Sequence, residues 1–313
     1  MSYYVRRFFT LLLTVVLVLL LTFAVFRVIP GNPALAILGV EASPAQIELL
    51  SEKLGTDRPI AVQLVDWFRG AATFDLGTSL RFDEPVAGLI AARLPITLTL
   101  ALEAIAIIVI VSIPLGILAA RRRGKAADLL VSAGTQLGLA VPSFWMGFLL
   151  ILLFGLTLRW VPVSTYVDWS DSPLLALRST ILPAVALAIP QIAIVVRYLR
   201  TTLLEQLSLE YVRTARSKGL GERAVLYGHV LRNALLPVVT VIGIQFGELL
   251  AGSLVVEQVF TLPGFGSLLI TAIGNRDYPL IQGLVLFIAT SVIAINFLVD
   301  LSYRWLDPKI KLR

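Results

Sequence analysis

The apolar residues of this chain fall in long, nearly charge-free runs separated by polar stretches, a pattern that matches neither the period of a half-buried strand nor that of a one-faced surface helix. A helix needs about 20 residues to cross roughly 30 Å of hydrocarbon. Six runs meet that length, near 8–28, 94–120, 129–158, 179–204, 234–256 and 278–300. Only Glu103 interrupts the second, Pro142 lies inside the third and Glu248 inside the fifth. Backbone groups in lipid must be satisfied within the segment, so the runs predict an all-α membrane protein with six transmembrane helices. Leu94-Pro95, Leu182-Pro183 and Leu236-Pro237 read as prolines at helix starts. The first run follows Arg6 and Arg7 as a secretory signal would, but no A-x-A site follows it, so it reads as a retained anchor.

The polar stretches divide the chain. Residues 1–93 form a first transmembrane helix plus an extracytoplasmic segment, 94–303 a transmembrane core with a polar loop at 205–233, and 304–313 a tail. Within the outer segment, Pro44 precedes a helical pattern over 45–54, Gly55 and Asp57 stop it, and a second pattern covers 60–69. These predict two short surface helices, which either receive a partner or cover the ends of the bundle.

The loop YVRTARSKGLGERAVLYGHVLRNALLP, from Tyr211 to Pro237, is polar and basic between two long apolar runs. It predicts a short helix over 209–218, ended by the permissive backbone of Gly219-Leu220-Gly221. A second helix follows, with Tyr227, Val230, Leu231, Ala234 and Leu235 on one apolar face. The second helix packs and the first projects, as a docking hairpin for another protein would.

Composition agrees: 58% of the 313 residues are hydrophobic, 15% are charged and the mean hydropathy is +0.89. Most of the 26 lysines and arginines fall in segments that share one side, including Arg6, Arg121, Arg213, Lys218 and Lys309, so the positive-inside rule puts both termini in the cytoplasm. That bias accounts for the +6 net charge without a nucleic-acid partner. Zero cysteines exclude disulfides and thiolate sites. The single histidine, His229, lies in the hairpin, where packing or capping is the expected role and a histidine metal cluster is excluded.

Charges in the apolar runs are costly unless paired or facing water. Glu248, with Gln245 one turn earlier and roughly on its face, is a candidate for the translocation path or a helix contact. Glu103 reads as a structural partner. Asn296, Asp300 and Arg304 share one face of the last run. In the outer turn 257–279, Pro263-Gly264 and Gly266 demand non-helical backbone, and Glu257, Arg276 and Asp277 stand there as gate or docking candidates or as surface-loop residues.

The hairpin sequence, together with VVEQVFTLPGFGSLLITAIGNRDYPLIQG and NFLVDLSYRWLDPKI, resembles the inner-membrane permease subunits of dipeptide, oligopeptide and nickel ABC importers. The resemblance covers essentially the whole chain. It implies the type I ABC importer permease fold in a bacterial or archaeal inner membrane. It further implies a second related permease subunit, two ABC ATPase subunits and an extracytoplasmic substrate-binding protein as partners. In that family the cytoplasmic loop carries an E-A-A signature followed by glycine, which fits a groove on the ATPase. Here Arg213, Thr214 and Ala215 occupy those positions, Gly219 is the glycine, and Leu220 closes the coupling helix. Two of the three letters depart from the pattern, which leaves docking by shape at Ala215 and Gly219. In the family, the outer turn with Glu257, Pro263, Gly264, Arg276 and Asp277 lies near the outer gate below the binding protein.

No G-x-x-x-x-G-K-[ST] phosphate loop occurs, since Gly124-Lys125 is followed by Ala126 and preceded by Ala119 at the first glycine position. The chain is therefore expected to bind no cofactor and catalyse nothing itself, with ATP and Mg on separate ATPase subunits. Import of dipeptides or oligopeptides is the expected function. A nickel or metal-chelate importer shares the motifs and stays open, and a secondary transporter is the alternative from a different class.

Overall fold

A computed structural model describes residues 2–28, 33–39, 42–161 and 166–306. The described residues are helical throughout apart from turns and one isolated bridge, Thr78 with Pro85. The order is α1 (Ser2–Val28), α2 (Pro33–Leu38), α3 (Pro44–Lys53), α4 (Ile60–Thr73), α5 (Val86–Arg121), α6 (Ala126–Ala140) and α7 (Ser143–Leu150), which runs on as a π-helical turn, Ile151–Thr157. Then come α8 (Pro173–Leu207), α9 (Glu210–Ser217) and α10 (Glu222–Ala224), which passes through a π-helical turn, Val225–Val230, into α11 (Leu231–Val259), followed by α12 (Phe265–Gly274) and α13 (Tyr278–Leu306). Five helices are long and apolar enough to cross a membrane, and six if α6 and α7 count as one span.

The third run is not one straight span. α6 and its continuation after Pro142 are bent by 103°. Val141 is extended (φ −100°, ψ 120°) because a residue before proline is pushed out of the helical region, and Pro142 itself has no N–H to continue the ladder. The other prolines correct the expectation in the opposite sense. Pro95 lies within α5, Pro183 and Pro190 within α8, and Pro237 within α11, none of them at a helix start. In a packed membrane bundle, neighbouring groups and local adjustment tolerate such prolines.

The chain divides into two compact units, one of Met1–Ile96 with Pro263–Ile293 and one of Thr97–Leu262 with Ala294–Arg313. In the first, α1 and α4 meet where the Trp67 indole N–H donates to the Leu19 carbonyl (3.1 Å), and Phe26 packs edge-on against Tyr278. The outer segment holds the two expected short helices, α3 and α4, with α2 in addition. Ser43 and Gln46 form a reciprocal capping box at the start of α3, and Phe74 ends α4 in the left-handed region.

In the second unit α8 is the axis, packed by α6, α7 and α11. It is buried on both sides here, with Ala184 and Ala188 on one face and Ala186 and Ala193 on the opposite one, and its neighbours bring glycines: Gly138 of α6 lies on Ile189 and Ala193, and Gly116 of α5 lies so close to Leu199 that a Cβ would collide with it. Between membrane helices the hydrophobic effect supplies little, so close backbone approach through small residues is the source of packing energy. Near its end α8 is fixed by a charge pair. Arg200 donates from Nε and Nη2 to the two oxygens of Asp128, at 2.7 and 2.8 Å, and Asp128 also accepts the Gly124 N–H at 2.9 Å. Asp128 is 4% exposed. The pair thus ties the α5–α6 turn to the helix that leads into the hairpin.

Removing one partner of a buried pair leaves the other charge uncompensated. Arg200 keeps 29% of its side chain exposed, so water partly compensates it, and Asp128→Ala is expected to destabilise the solubilised protein by about 2 kcal/mol, read from its chemical unfolding. Arg122→Ala, at an exposed site in the same turn, is expected to stay within about 0.5 kcal/mol. Equal effects of the two substitutions would remove the pair from this role.

Candidate functional site

The hairpin begins where α8 ends at Leu207. α9 carries Glu210 in its first turn and Arg216 in its last, both favourable to the helix dipole. The Tyr211 hydroxyl donates to Gln206 Oε1 at 2.8 Å, fixing the start of α9 to the end of α8. Val212 and Ala215 turn inward and are buried, as are Val225, Leu226 and Val230 of the returning segment. Arg213, Thr214, Gly219 and Leu220 are exposed. Four of the five residues expected at the ATPase contact therefore lie on the surface, while Ala215 packs into the hairpin's own core. Its small side chain sets how closely α9 approaches that core.

Gly219 ends the helix as its position demands. Its φ is +81°, its N–H reaches the Arg216 carbonyl (2.9 Å), and the Leu220 N–H reaches Ala215 (3.3 Å), the paired bonds of a Schellman motif. A Cβ built on Gly219 meets nothing within 4 Å, so this position needs glycine for its backbone and leaves the surface beside it open. Arg213 pairs with Glu210 at 2.9 Å, and Arg216 grips Glu222 across the turn at 2.8 and 3.1 Å. Donating to the Glu222 carboxylate holds the Arg216 guanidinium above its ordinary pKa.

The returning helix departs from the expected register. Tyr227 is 50% exposed, and Val225 and Leu226 take the buried positions beside Val230 and Ala234. The π-helical turn at Val225–Val230 is the cause, since a wider turn accommodates an extra residue and rotates the face relative to a 3.6-residue repeat. His229 lies exposed in this turn.

Gln245 and Glu248 do not share an environment. Gln245 is buried, its Oε1 without a hydrogen-bond partner, whereas Glu248 is exposed on the surface of α11. Glu103 accepts the Thr180 hydroxyl at 2.8 Å on Oε1, and its Oε2 is buried without a partner. On α13, Asn296 is exposed and Asp300 half-buried, while the side chain of Arg304 lies outside the described residues.

The outer turn is shorter than expected. Glu257 is helical, in the last turn of α11, fully buried and accepting hydroxyl hydrogens from Thr97 (2.8 Å) and Ser253 (3.0 Å). It is thus an interior group rather than a loop carboxylate. Thr261 takes a positive φ of 56°, and the non-helical stretch that follows holds Pro263 and Gly264. The Pro263 carbonyl accepts from Arg93 Nη1 at 3.2 Å. Gly266 already belongs to α12, because the irregular chain closes at Gly264, the N-cap. Arg276, at φ 53°, is exposed. Asp277 is fully buried: Oδ2 accepts the Ser79 hydroxyl (2.5 Å) and the Arg81 N–H (3.2 Å), and Oδ1 accepts the Leu280 N–H in the first turn of α13 (3.3 Å).

Asp128, Arg200, Ser79 and Thr97 escaped sequence reasoning. Asp128 sits in the first turn of a helix after Gly-Lys, a visible signal for an N-terminal carboxylate, but nothing along the chain marks Arg200, 72 residues away, as its partner. Among the described residues no group of three or more His, Asp or Glu could hold a metal ion.

The family models for the binding-protein-dependent transport system inner membrane component and for the N-terminal part of the same membrane component match residues 112–312 and 1–101. The chain belongs to the family of binding-protein-dependent transport system inner membrane components, multi-pass membrane subunits without catalysis of their own. A "Putative peptide transport system permease protein" of Brucella suis is 46% identical over 294 residues, 94% of each chain. A "Probable peptide ABC transporter permease protein" of Sinorhizobium fredii is 37% identical over 99% of each chain. The "Dipeptide transport system permease protein" of Alkalihalophilus pseudofirmus is also 37% identical over 99% of each chain.

Loss of the Asp277 carboxylate removes both the cap of α13 and its tie to the 79–82 turn. Asp277→Ala is expected to raise amide hydrogen exchange at Leu280 and Ile281 by about tenfold, the worth of a good N-cap. Unchanged exchange there would show that the cap contributes nothing.

Proposed function

We propose that this chain is the permease subunit of an ATP-driven importer of dipeptides or oligopeptides. With a second, related permease subunit it forms the translocation path. An extracytoplasmic binding protein delivers the peptide, and two separate ABC ATPase subunits bind ATP and Mg. Full-length similarity to peptide and dipeptide permeases carries this reading. The exposed α9 ridge supports it as an ATPase contact, and both termini lie inside by the positive-inside bias. Residues 94–303 serve as the core, 205–233 as the coupling loop, 1–93 as the outer-facing module and 304–313 as a cytoplasmic tail.

Closure of the ATPase pair would push on α9 and rock the spans. Arg213, Thr214, Gly219 and Leu220 make the contact, and Ala215 sets the depth at which α9 is seated. The α8 end moves with the hairpin because the Tyr211–Gln206 bond joins them, and the Arg200–Asp128 pair passes that motion on to the α5–α6 turn. At the outer turn, exposed Arg276 is the docking contact, while Glu257, Pro263, Gly264 and Asp277 hold the backbone that presents it. Glu248 lines the path. A carboxylate on an exposed face inside a span costs roughly 3 kcal/mol against lipid, so that face meets water or the second permease subunit.

ATP hydrolysis by the purified complex with its binding protein tests the substrate class, and dipeptides or longer peptides are expected to stimulate it. Stimulation by nickel chelates alone would overturn the peptide assignment and keep the architecture. Gly219→Trp is expected to abolish uptake while the complex still hydrolyses ATP, and unimpaired uptake would reject the α9 contact. Glu248→Gln is expected to lower peptide uptake several-fold in an intact complex. Full uptake of every peptide would remove Glu248 from the path.

A further inference from the structure

A groove of 440 Å³ lies between α5, α6 and α8, entirely within the unit that holds Thr97–Leu262. Val111 and Leu115 of α5, Leu130 and Gly134 of α6, and Ile189 and Ala193 of α8 line it. The one hydroxyl in the lining, that of Thr135, is donated to the Ser132 carbonyl at 2.9 Å, so the groove suits hydrocarbon.

Each wall ends in a cation, and at the same end. Arg122 follows Leu115 by seven residues, two turns along the same face of α5, and its N–H keeps the helical bond to the Leu118 carbonyl (3.0 Å). Arg197 follows Ala193 by four on α8, and Lys125 precedes Leu130 by five at the start of α6. Asp128 of α6 holds both the Gly124 N–H of the α5–α6 turn (2.9 Å) and Arg200 of α8 (2.7 Å), so the three ends lie together. At 1.5 Å per residue the apolar lining begins roughly 6 to 10 Å from each cation, a span that arginine and lysine stems cover along apolar surface.

The free charge at this end has one sign. Asp128 is the one carboxylate in residues 104–121, 126–140 and 173–204, and Arg200 takes both of its oxygens. Arg121, Arg122, Arg123, Lys125 and Arg197 are all exposed, and none of them pairs with a carboxylate among the described residues. Basic clusters directly beyond a membrane span attract anionic lipid. The positive-inside bias accounts for cations in a loop but not for an apolar groove whose walls lead to them.

We propose that the groove seats one acyl chain of an anionic glycerophospholipid, phosphatidylglycerol in chemistry, whose phosphate meets Arg122, Lys125 and Arg197. A groove lined by apolar groups forfeits dispersion contacts unless hydrocarbon fills it. The phosphate oxygens accept charge-assisted hydrogen bonds from the guanidinium and ammonium groups, and a glycerol headgroup brings no further cation. The ammonium of phosphatidylethanolamine is repelled by the same groups. The lipid thereby bridges α5, α6 and α8 beside the Asp128–Arg200 pair. The site requires a membrane-spanning chain and is independent of what is imported.

Photolabelling of the purified complex in nanodiscs tests the proposal, with phosphatidylglycerol or phosphatidylethanolamine carrying a diazirine in the acyl chain and the labelled residues read by mass spectrometry. Phosphatidylglycerol is expected to label the groove about twentyfold more than phosphatidylethanolamine, two cations on one phosphate at about fivefold each. Arg122→Gln combined with Arg197→Gln should bring the two lipids within about twofold. Gly134→Phe, at an exposed position where an added Cβ meets nothing within 4 Å, should expel the chain of either lipid. Equal labelling of the groove by the two lipids in the unaltered complex overturns the proposal even if no variant assembles. So does a preference that survives the double substitution, or a cross-link placing a helix of the second permease subunit in the groove. Displacement of the lipid by inorganic phosphate, at an ionic strength where chloride leaves it bound, would assign the cations to a soluble anion instead.

Discussion

A carboxylate enclosed among packed helices, away from water, has to find its donors within the protein. Asp128 takes both nitrogens of Arg200 and the Gly124 N–H, Glu257 takes the hydroxyls of Thr97 and Ser253, Glu103 takes that of Thr180, and Asp277 takes Ser79 with two backbone amides. All four join segments far apart in the sequence. In an interior of alanine, leucine and valine, where packing alone tolerates sliding, such directional bonds fix how one helix is set against the next. Glu248 stands apart, its side chain on an open face of α11.

Backbone punctuation supplies what side-chain pairing cannot. Pro142 and the extended Val141 turn α6 away from α7, and Gly219 stops α9 with two carbonyls satisfied. The π-helical turn at Val225–Val230 rotates the returning face until Val225 and Leu226, rather than Tyr227, enclose the hairpin's core. The outcome is a short helix that is rigid at both ends. Tyr211 holds one end to α8 and the Schellman turn holds the other, with Val212 and Ala215 as its footing. The coupling role proposed for α9 needs that stiffness if motion at its tip is to reach the spans.

Position decides what similar residues do. Arg276 and Asp277 are neighbours, yet a positive φ turns the arginine to the surface while the aspartate caps α13 from inside. Gln245 and Glu248 are three apart on one helix, yet one is enclosed and the other exposed. The roles proposed for them differ accordingly, the exposed members making contacts and the buried ones holding the shape that presents them.

Long apolar runs, basic loops and the glycine at the end of the hairpin's first helix were legible in the sequence, because each is a local consequence of composition or of one residue's backbone. α3, α4 and α9 fall close to their expected places for the same reason. The bend at Pro142 was not legible, since proline also sits unbroken inside α5, α8 and α11, and only neighbouring packing separates the two cases. Nor were the pairs of Asp128 with Arg200, Glu257 with Thr97 and Asp277 with Ser79, whose members lie 72, 160 and 198 residues apart. Hydropathy and spacing report which solvent a segment prefers. Which donor meets which carboxylate is set when helices pack, because a hydrogen bond depends on distance and direction in space and leaves no periodic trace along the chain.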